Sequence, residues 1–202
     1  MTITALKTMC SRIAWCDSAV LESALELALE IAREGREGRR IGTMFTVGKT
    51  DAVLAASRAL ILDPLAGHAP ARTHITNPDL RGTMKELAQL DGAFVISETG
   101  IVVAACRYLD ASVEHIDLPL GFGSRHLAAA SISQRLGAIA IVVSESGVVR
   151  VFHAGQIEAT LIPELWLLDR HHTQLSVAAT GVVEAQRLGT PTVSVSKADE
   201  QA

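Results

Sequence analysis

The sequence predicts one α/β or α+β domain, on three observations. Apolar residues make up 49% of the chain but aromatics only 3%, so the core is built from Ala, Val, Ile and Leu, the usual filling of a sheet covered by helices. Two pairs of apolar β-type runs, each divided by a glycine-containing loop, read as hairpins. Segments before and between them carry apolar residues at helical spacing.

At 202 residues the chain has room for one ordinary core with short extensions. The expected division is an N-terminal extension over 1–17, a domain over 18–165, and a C-terminal extension over 166–202 that is helical and then disordered. The formal charge is −4 and the basic residues are scattered, which leaves no electrostatic footprint for nucleic acid. Cys10, Cys16 and Cys106 are odd in number, lack CxxC spacing and sit in or beside apolar segments, which fits a reducing compartment. Residues 1–14 have neither a long apolar core nor a small-residue cleavage site, and the run Ala138 to Val143 is too short to span a bilayer. The chain is therefore expected to be soluble and cytoplasmic, with no membrane partner.

Val20, Leu21, Ala24, Leu25, Leu27, Ala28 and Ile31 share one helical face between Ser18 and Arg33, with Asp17 or Ser18 as cap. The glycine and charge cluster from Glu34 to Arg40 ends that helix as a polar turn, and Ile41 to Val47 has strand composition. Gly48-Lys49-Thr50 ends like a Walker loop, but the glycine required five residues earlier is Thr43, so the match is coincidence. Asp51 to Ser57 is a short helical or irregular connection and Ala59 to Leu62 a short strand. Asp63 to Asn77 is a proline-punctuated loop, whose His68 and His74 lack partners to complete a metal set.

Asn77-Pro78-Asp79 opens a helix through Leu80, Met84, Leu87 and Leu90, and Asp91 follows at once. Ala93 to Ser97 and Ile101 to Ala105 flank Glu98-Thr99-Gly100 as one hairpin; Ala138 to Ser144 and Val148 to His153 flank Glu145-Ser146-Gly147 as another. Between them Ser124 caps a helix carrying Leu127, Ala128, Ala130, Ile132 and Leu136, closed by Arg135 and Gly137. Pro163 to Leu168 is expected to cover the sheet and Ser176 to Leu188 to form one more amphipathic helix.

Chemistry concentrates between Asp91 and Glu145. The N-terminus of the Ser124 helix offers backbone N–H groups and a favourable dipole to an anion, Gly121 and Gly123 permit close approach, and Arg125 and His126 add donors. The bland alternative is a capped helix with Arg125 in a surface pair and His126 packed beside it. Asp91 suits a Mg2+ ligand completed by substrate phosphates, and serves equally as a turn residue. His115, His153, His171 and His172 read as surface or structural residues.

Asp91-Gly92-Ala93, Arg107-Tyr108-Leu109, Gly123-Ser124-Arg125-His126 and Ser144-Glu145 together resemble the diadenylate cyclase domain family over roughly residues 18 to 165. The family's Asp-Gly-Ala motif matches Asp91, Gly92 and Ala93. Its Arg-His-Arg motif matches Arg125 and His126 but has Leu127 third, and its Ser-Glu-Glu segment matches Ser144 and Glu145 with Ser146 last. Leu127 removes a charge-assisted donor that an apolar side chain cannot imitate.

The resemblance implies a mixed central β-sheet with helices on both sides, and condensation of two ATP molecules into cyclic di-AMP with loss of two pyrophosphates. It implies Mg2+ or Mn2+ at Asp91, with Arg125, His126 and the Gly123-Ser124 backbone on the triphosphate, and Gly92 allowing close nucleotide approach. Ser144 and Glu145 would assist metal or pyrophosphate handling. Tyr108 and Leu109 would pack on adenine, a role that ordinary core packing mimics. Two domains must meet face to face as a homodimer or higher oligomer. Leu127 and Ser146 motivate a second reading, a sensor that binds ATP or cyclic di-AMP without converting it. A scaffold that has lost the pocket is a third.

Overall fold

The structure, a computed structural model, describes residues 16–111, 116, 118–119 and 121–168. The described residues up to Trp166 belong to one compact unit, and Leu167 and Leu168 to a second, Leu167–Ala202. Expectations on residues 1–15, His115, His171, His172, the Ser176 to Leu188 helix and the tail lie outside the described residues.

The order of elements is α1 (Ser18–Glu34), β1 (Thr43–Val47), α2 (Thr50–Ala55), β2 (Ser57–Ala59), α3 (Pro78–Leu87), β3 (Ala93–Ile96), β4 (Val102–Leu109), α4 (Ser124–Leu136), β5 (Ile139–Val143), β6 (Val149–His153) and β7 (Gln156–Leu161). The strands form one mixed sheet in the order β2-β4-β3-β1-β5-β6-β7, in which β1 and β3 are parallel and the other pairs antiparallel. The expected sheet is present, and both hairpins form where their glycine loops put them.

Pleating divides the central strands between two layers. Met44, Ala93, Val95, Ala140, Val142 and Phe152 join Ala129, Ala130 and Ile132 of α4 in one cluster. Alternate positions face the other way, where Phe45 stacks on Phe94 with ring centroids 5.3 Å apart; α1 packs on β5 and β6. Leu21, Leu25 and Leu27 of α1 are completely buried, each such burial stabilising by about 2 kcal/mol. The small residues of α4 let it approach the sheet, and its buried Ser133 is satisfied at both ends: its hydroxyl donates to Ala130 O at 3.0 Å and accepts from Gly155 N at 3.0 Å.

Local signals fix the helix ends. The Asp17 carboxylate accepts from Ala19 N at 2.9 Å, Asn77 caps α3 with Pro78 at its first position, and Gly137 closes α4. Ion pairs tie α3 to α1, with Arg81 2.9 Å from Glu30 and Lys85 3.0 Å from Glu34. This fixes the point at which Asp91 enters β3.

Two expectations are corrected, and one strand was missed. Ser124 does not cap α4; it is the first helical residue, Gly123 is the cap position, and no side chain bonds there. The strand expected from Ala59 to Leu62 runs over Ser57–Ala59 instead, because pairing with Leu109, Tyr108 and Arg107 sets its register. β7 was not anticipated, although Ile157, Ala159 and Leu161 alternate inward along it.

Candidate active site

Sheet register gathers the site at one edge. Because β1 and β3 are parallel, with Met44 beside Ala93, the residues entering them, Gly42 and Asp91, lie side by side. Antiparallel pairing of Thr43 with Val143 brings the end of β5, and with it Ser144 and Glu145, to the same edge. The Gly48-Lys49-Thr50 segment lies at the opposite end of β1, about 20 Å away by the rise per residue, where Lys49 N donates to Glu98 Oε1 at 2.6 Å.

Arg125, in the first turn of α4, connects the two carboxylates. Its Nη2 lies 3.4 Å from Asp91 Oδ1 and its Nη1 3.1 Å from Glu145 Oε1. The carboxylates are mostly exposed, at 88% and 69%, so the pairs are screened and each is worth under about 1 kcal/mol. Phosphate oxygens can replace them at little cost. Gly42 runs directly beneath this bridge, and a Cβ there would lie 2.7 Å from Arg125 Nη1 and 3.0 Å from Glu145 Cγ.

Beside the bridge opens a cleft of about 520 Å³ lined by Asp91, Gly92, Ala93, Arg107, Tyr108, Leu109, Ser124, Arg125 and Leu127, with Met44, Leu60, Ala111 and Ala128 adding apolar wall. Tyr108 is half exposed, with the Arg58 guanidinium 4.5 Å from its ring centre. Leu109 is buried. Leu127 forms apolar wall where the family motif has a cation. Arg107 and Arg135, which could have replaced that charge, are engaged with backbone: Arg107 with Leu54 O and Ser57 O at 3.2 and 2.9 Å, Arg135 with Asp110 O at 2.7 Å.

Gly92 has a role that its place in a ligand motif did not suggest. Its φ is +110°, and a Cβ would lie 2.5 Å from Cys106 C and 2.7 Å from Arg107 N. Cys106 itself has φ +53°, where the pairing of β3 and β4 shifts register. The bulge leaves no room for a side chain opposite it.

His126 is placed away from the cleft. It is buried against Phe122 and Phe152, and Arg150 Nη1 lies 3.2 Å from its Nε2 while stacking on Phe122 at 4.7 Å. Burial, helped by the nearby Arg150 and Arg125 charges, pushes its pKa down to about 4. The ring is therefore neutral at pH 7, and Nε2 is the acceptor. His126 is not among the residues lining the cleft, and through Phe122, Phe152 and Arg150 it anchors the segment that presents Arg125. Ser144 is likewise a support, its Oγ accepting from Ser146 N at 3.2 Å and shaping the turn that carries Glu145.

Gly123 and Ser124 lie at the open start of α4, where a Cβ on Gly123 would meet nothing within 4 Å. His74, between Thr76 Oγ1 and Thr99 O, is a structural loop residue. Cys16 and Cys106 are buried free thiols with pKa values raised mainly by burial, Cys16 to about 11. Gly42, Met44 and Leu60 were missed as site residues because their relation to the cleft arises only from strand pairing. Among the described residues no helix is long and apolar enough to cross a membrane.

Residues 30–157 match the family model described as DisA bacterial checkpoint controller nucleotide-binding. A protein named diadenylate cyclase from Methanocaldococcus jannaschii is 49% identical over 68% of this chain and 43% of its own. Another of that name from Haloferax volcanii is 38% identical over 74% of this chain and 55% of its own. The chain thus spans about half the length of these curated relatives. A crystal structure of a double mutant of DacA from Staphylococcus aureus is 21% identical with a TM-score of 0.48, over 77% of this chain and 94% of that one. With most of the chain matched by its model, this protein belongs to the DisA-type nucleotide-binding, or diadenylate cyclase, family.

Proposed function

We propose that the protein condenses two ATP molecules into cyclic di-AMP with release of two pyrophosphates. The observation that carries this reading is Arg125, held at the start of α4 between Asp91 and Glu145 at the mouth of an apolar-walled cleft. The relatives named diadenylate cyclase, at 49% and 38% identity, support the same activity.

Adenine packs against Tyr108 and Leu109, whose flat and apolar surfaces suit a base. The triphosphate lies at the start of α4, where the N–H groups of Ser124 and Arg125 and the helix dipole favour an anion. Arg125 exchanges its weak carboxylate partners for phosphate oxygens, a stronger charge-assisted contact. The 3′-hydroxyl of one ATP attacks the α-phosphorus of the other. A new P–O bond forms, the bond to the β-phosphate breaks, and pyrophosphate departs as Arg125 offsets its growing charge. Asp91 receives the hydroxyl proton, and a second such step closes the ring.

Among the described residues no group of three or more His, Cys, Asp or Glu side chains forms a metal site of its own. The exposed carboxylates of Asp91 and Glu145 fit the other arrangement, in which one or two carboxylates share a divalent cation with substrate phosphates. Asp91 would hold Mg2+ or Mn2+, which supplies charge stabilisation at the reacting phosphate. A cleft of about 520 Å³ suits one ligand while the product joins two nucleotides, so two protomers meet face to face about a two-fold axis. An ATP-consuming reaction is consistent with the cytoplasmic setting expected from the sequence.

The second reading, a sensor that binds ATP or cyclic di-AMP without turnover, is favoured by the apolar Leu127 wall. The two are separated by incubating the protein with ATP and either Mg2+ or Mn2+, with products resolved by liquid chromatography and mass spectrometry beside Asp91→Asn. The expected result is cyclic di-AMP from the unaltered protein and a loss of at least 100-fold in the variant, as for removal of one electrostatic group at a reacting centre. ATP binding without product replaces the cyclase with the sensor.

A further inference from the structure

We propose that the turn between α1 and β1 is an anion subsite, in which Arg39 holds the terminal phosphates of ATP and takes the cationic role that Leu127 cannot fill. This rests on the nucleotide reading above and deepens it.

A second cleft, of about 610 Å³, adjoins the first and shares Asp91 and Arg125 with it. Its outer wall is the turn itself, with Arg36, Arg39 and Arg40. The basic side chains lining the two clefts are thus Arg107 and Arg125 in the first and these three beside Arg125 in the second. For a nucleotide with its base in the first cleft and its α-phosphate at Arg125, the second cleft and this turn are the adjoining space open to the remaining phosphates.

The turn is built to hold its shape. Arg36 N donates to Arg39 O and Arg39 N to Arg36 O, both at 2.8 Å, around Glu37 and Gly38 with φ +49° and +75°. These are the dihedral signs of a tight two-residue hairpin, adopted here with a non-glycine residue at its first central position. A Cβ on Gly35 would run into Arg39 O, so the turn lies flush against the end of α1. Arg40 reaches back to α1 through one hydrogen bond, donating to Ala32 O at 3.2 Å.

Directly opposed residues of such a pair project on one face, where two like charges repel. Arg36 is compensated by Glu86 at 2.9 Å. Among the described residues no carboxylate lies within ion-pair distance of Arg39, which is exposed. Glu37 also lines this cleft and keeps the turn from being uniformly cationic. A polyphosphate relieves the repulsion between Arg36 and Arg39 and gives Arg39 an anionic partner.

Affinities for ATP and AMP are compared by calorimetry in the unaltered protein, Arg39→Gln, Arg39→Lys, and Arg39→Gln combined with Leu127→Arg, with cyclic di-AMP formation followed in parallel. Loss of one charge-assisted contact corresponds to about tenfold. The expected result is about tenfold weaker ATP binding in Arg39→Gln with AMP binding unchanged, partial retention in Arg39→Lys, and recovery in the double variant. Equal effects on ATP and AMP, or none on either, overturn the subsite even where the unaltered protein makes cyclic di-AMP. If the unaltered protein binds ATP without turnover, the cyclase reading fails and the Arg39 comparison still decides this one; if it binds no ATP, both fail.

Discussion

Gly92→Ala separates two reasons for a glycine beside Asp91. If the glycine serves only to let a nucleotide approach, an alanine there leaves the protein as stable as before and weakens binding alone. The structure gives the opposite expectation. At φ +110° an L side chain is strained whatever the space around it, by about 1–3 kcal/mol. The added Cβ would also sit 2.5 Å from Cys106 C and 2.7 Å from Cys106 Cα and Arg107 N, so about 1 Å of separation is needed to reach ordinary contact near 3.5 Å. Those are backbone atoms at a bulge in β4, which no rotamer change can move aside, and overpacking of this kind costs about 1–3 kcal/mol more. The expected loss is about 3 kcal/mol, a large share of the roughly 5–15 kcal/mol that holds a domain folded. Urea denaturation followed by circular dichroism reads it as a lower midpoint at unchanged slope. A loss below about 1 kcal/mol would refute the steric reasoning and return Gly92 to a role in ligand approach alone.

The buried neutral His126 makes stability depend on pH. Its folded pKa of about 4 lies below its ordinary 6.5, so the unfolded chain binds the extra proton first; the contribution is complete above about pH 6.5 and is lost as pH falls toward 4. A shift of that size corresponds to a loss on the order of 2–3 kcal/mol, seen as a fall in urea midpoint between pH 7.5 and pH 4.5 that His126→Gln reduces; equal falls in both proteins would contradict it. Gly147→Ala meets a different neighbour, since its Cβ would run into the Arg40 guanidinium, which can swing away. Left-handed strain at φ +81° then dominates, and the cost is about 1–2 kcal/mol by the same assay, less than at Gly92; a cost as large as that of Gly92→Ala would show Arg40 to be locked in place.

Local signals were sufficient for most elements. The helical face of α1, the Asn77-Pro78 start of α3, the glycine loops of both hairpins and Gly137 after α4 act within a few residues, so they are legible in one dimension. Where the reading failed, nonlocal pairing or dihedral angles decided. The register of β2 comes from β4, fifty residues later in the chain, and Ser124 lost its capping role because the non-helical position fell one residue earlier, at Gly123. β7 had a signal in the alternation of Ile157, Ala159 and Leu161, between the outward-facing Glu158 and Thr160.

For the site, the residue types and their order in Asp91-Gly92-Ala93, Ser124-Arg125-His126 and Ser144-Glu145 were enough to mark a nucleotide-binding family. Which of those residues face one another was set by the sheet. The parallel pairing of β1 with β3 and the antiparallel pairing of β1 with β5 bring Asp91, Gly42 and Glu145 to one edge, under the first turn of α4. In that turn, adjacent side chains point about 100° apart: Arg125 reaches over the edge to both carboxylates, while His126 turns inward against Phe152 and loses its proton to burial. Sequence fixes a helical residue's neighbours three and four places away, but the element lying across from each face is a long-range contact, and only the assembled sheet supplies it.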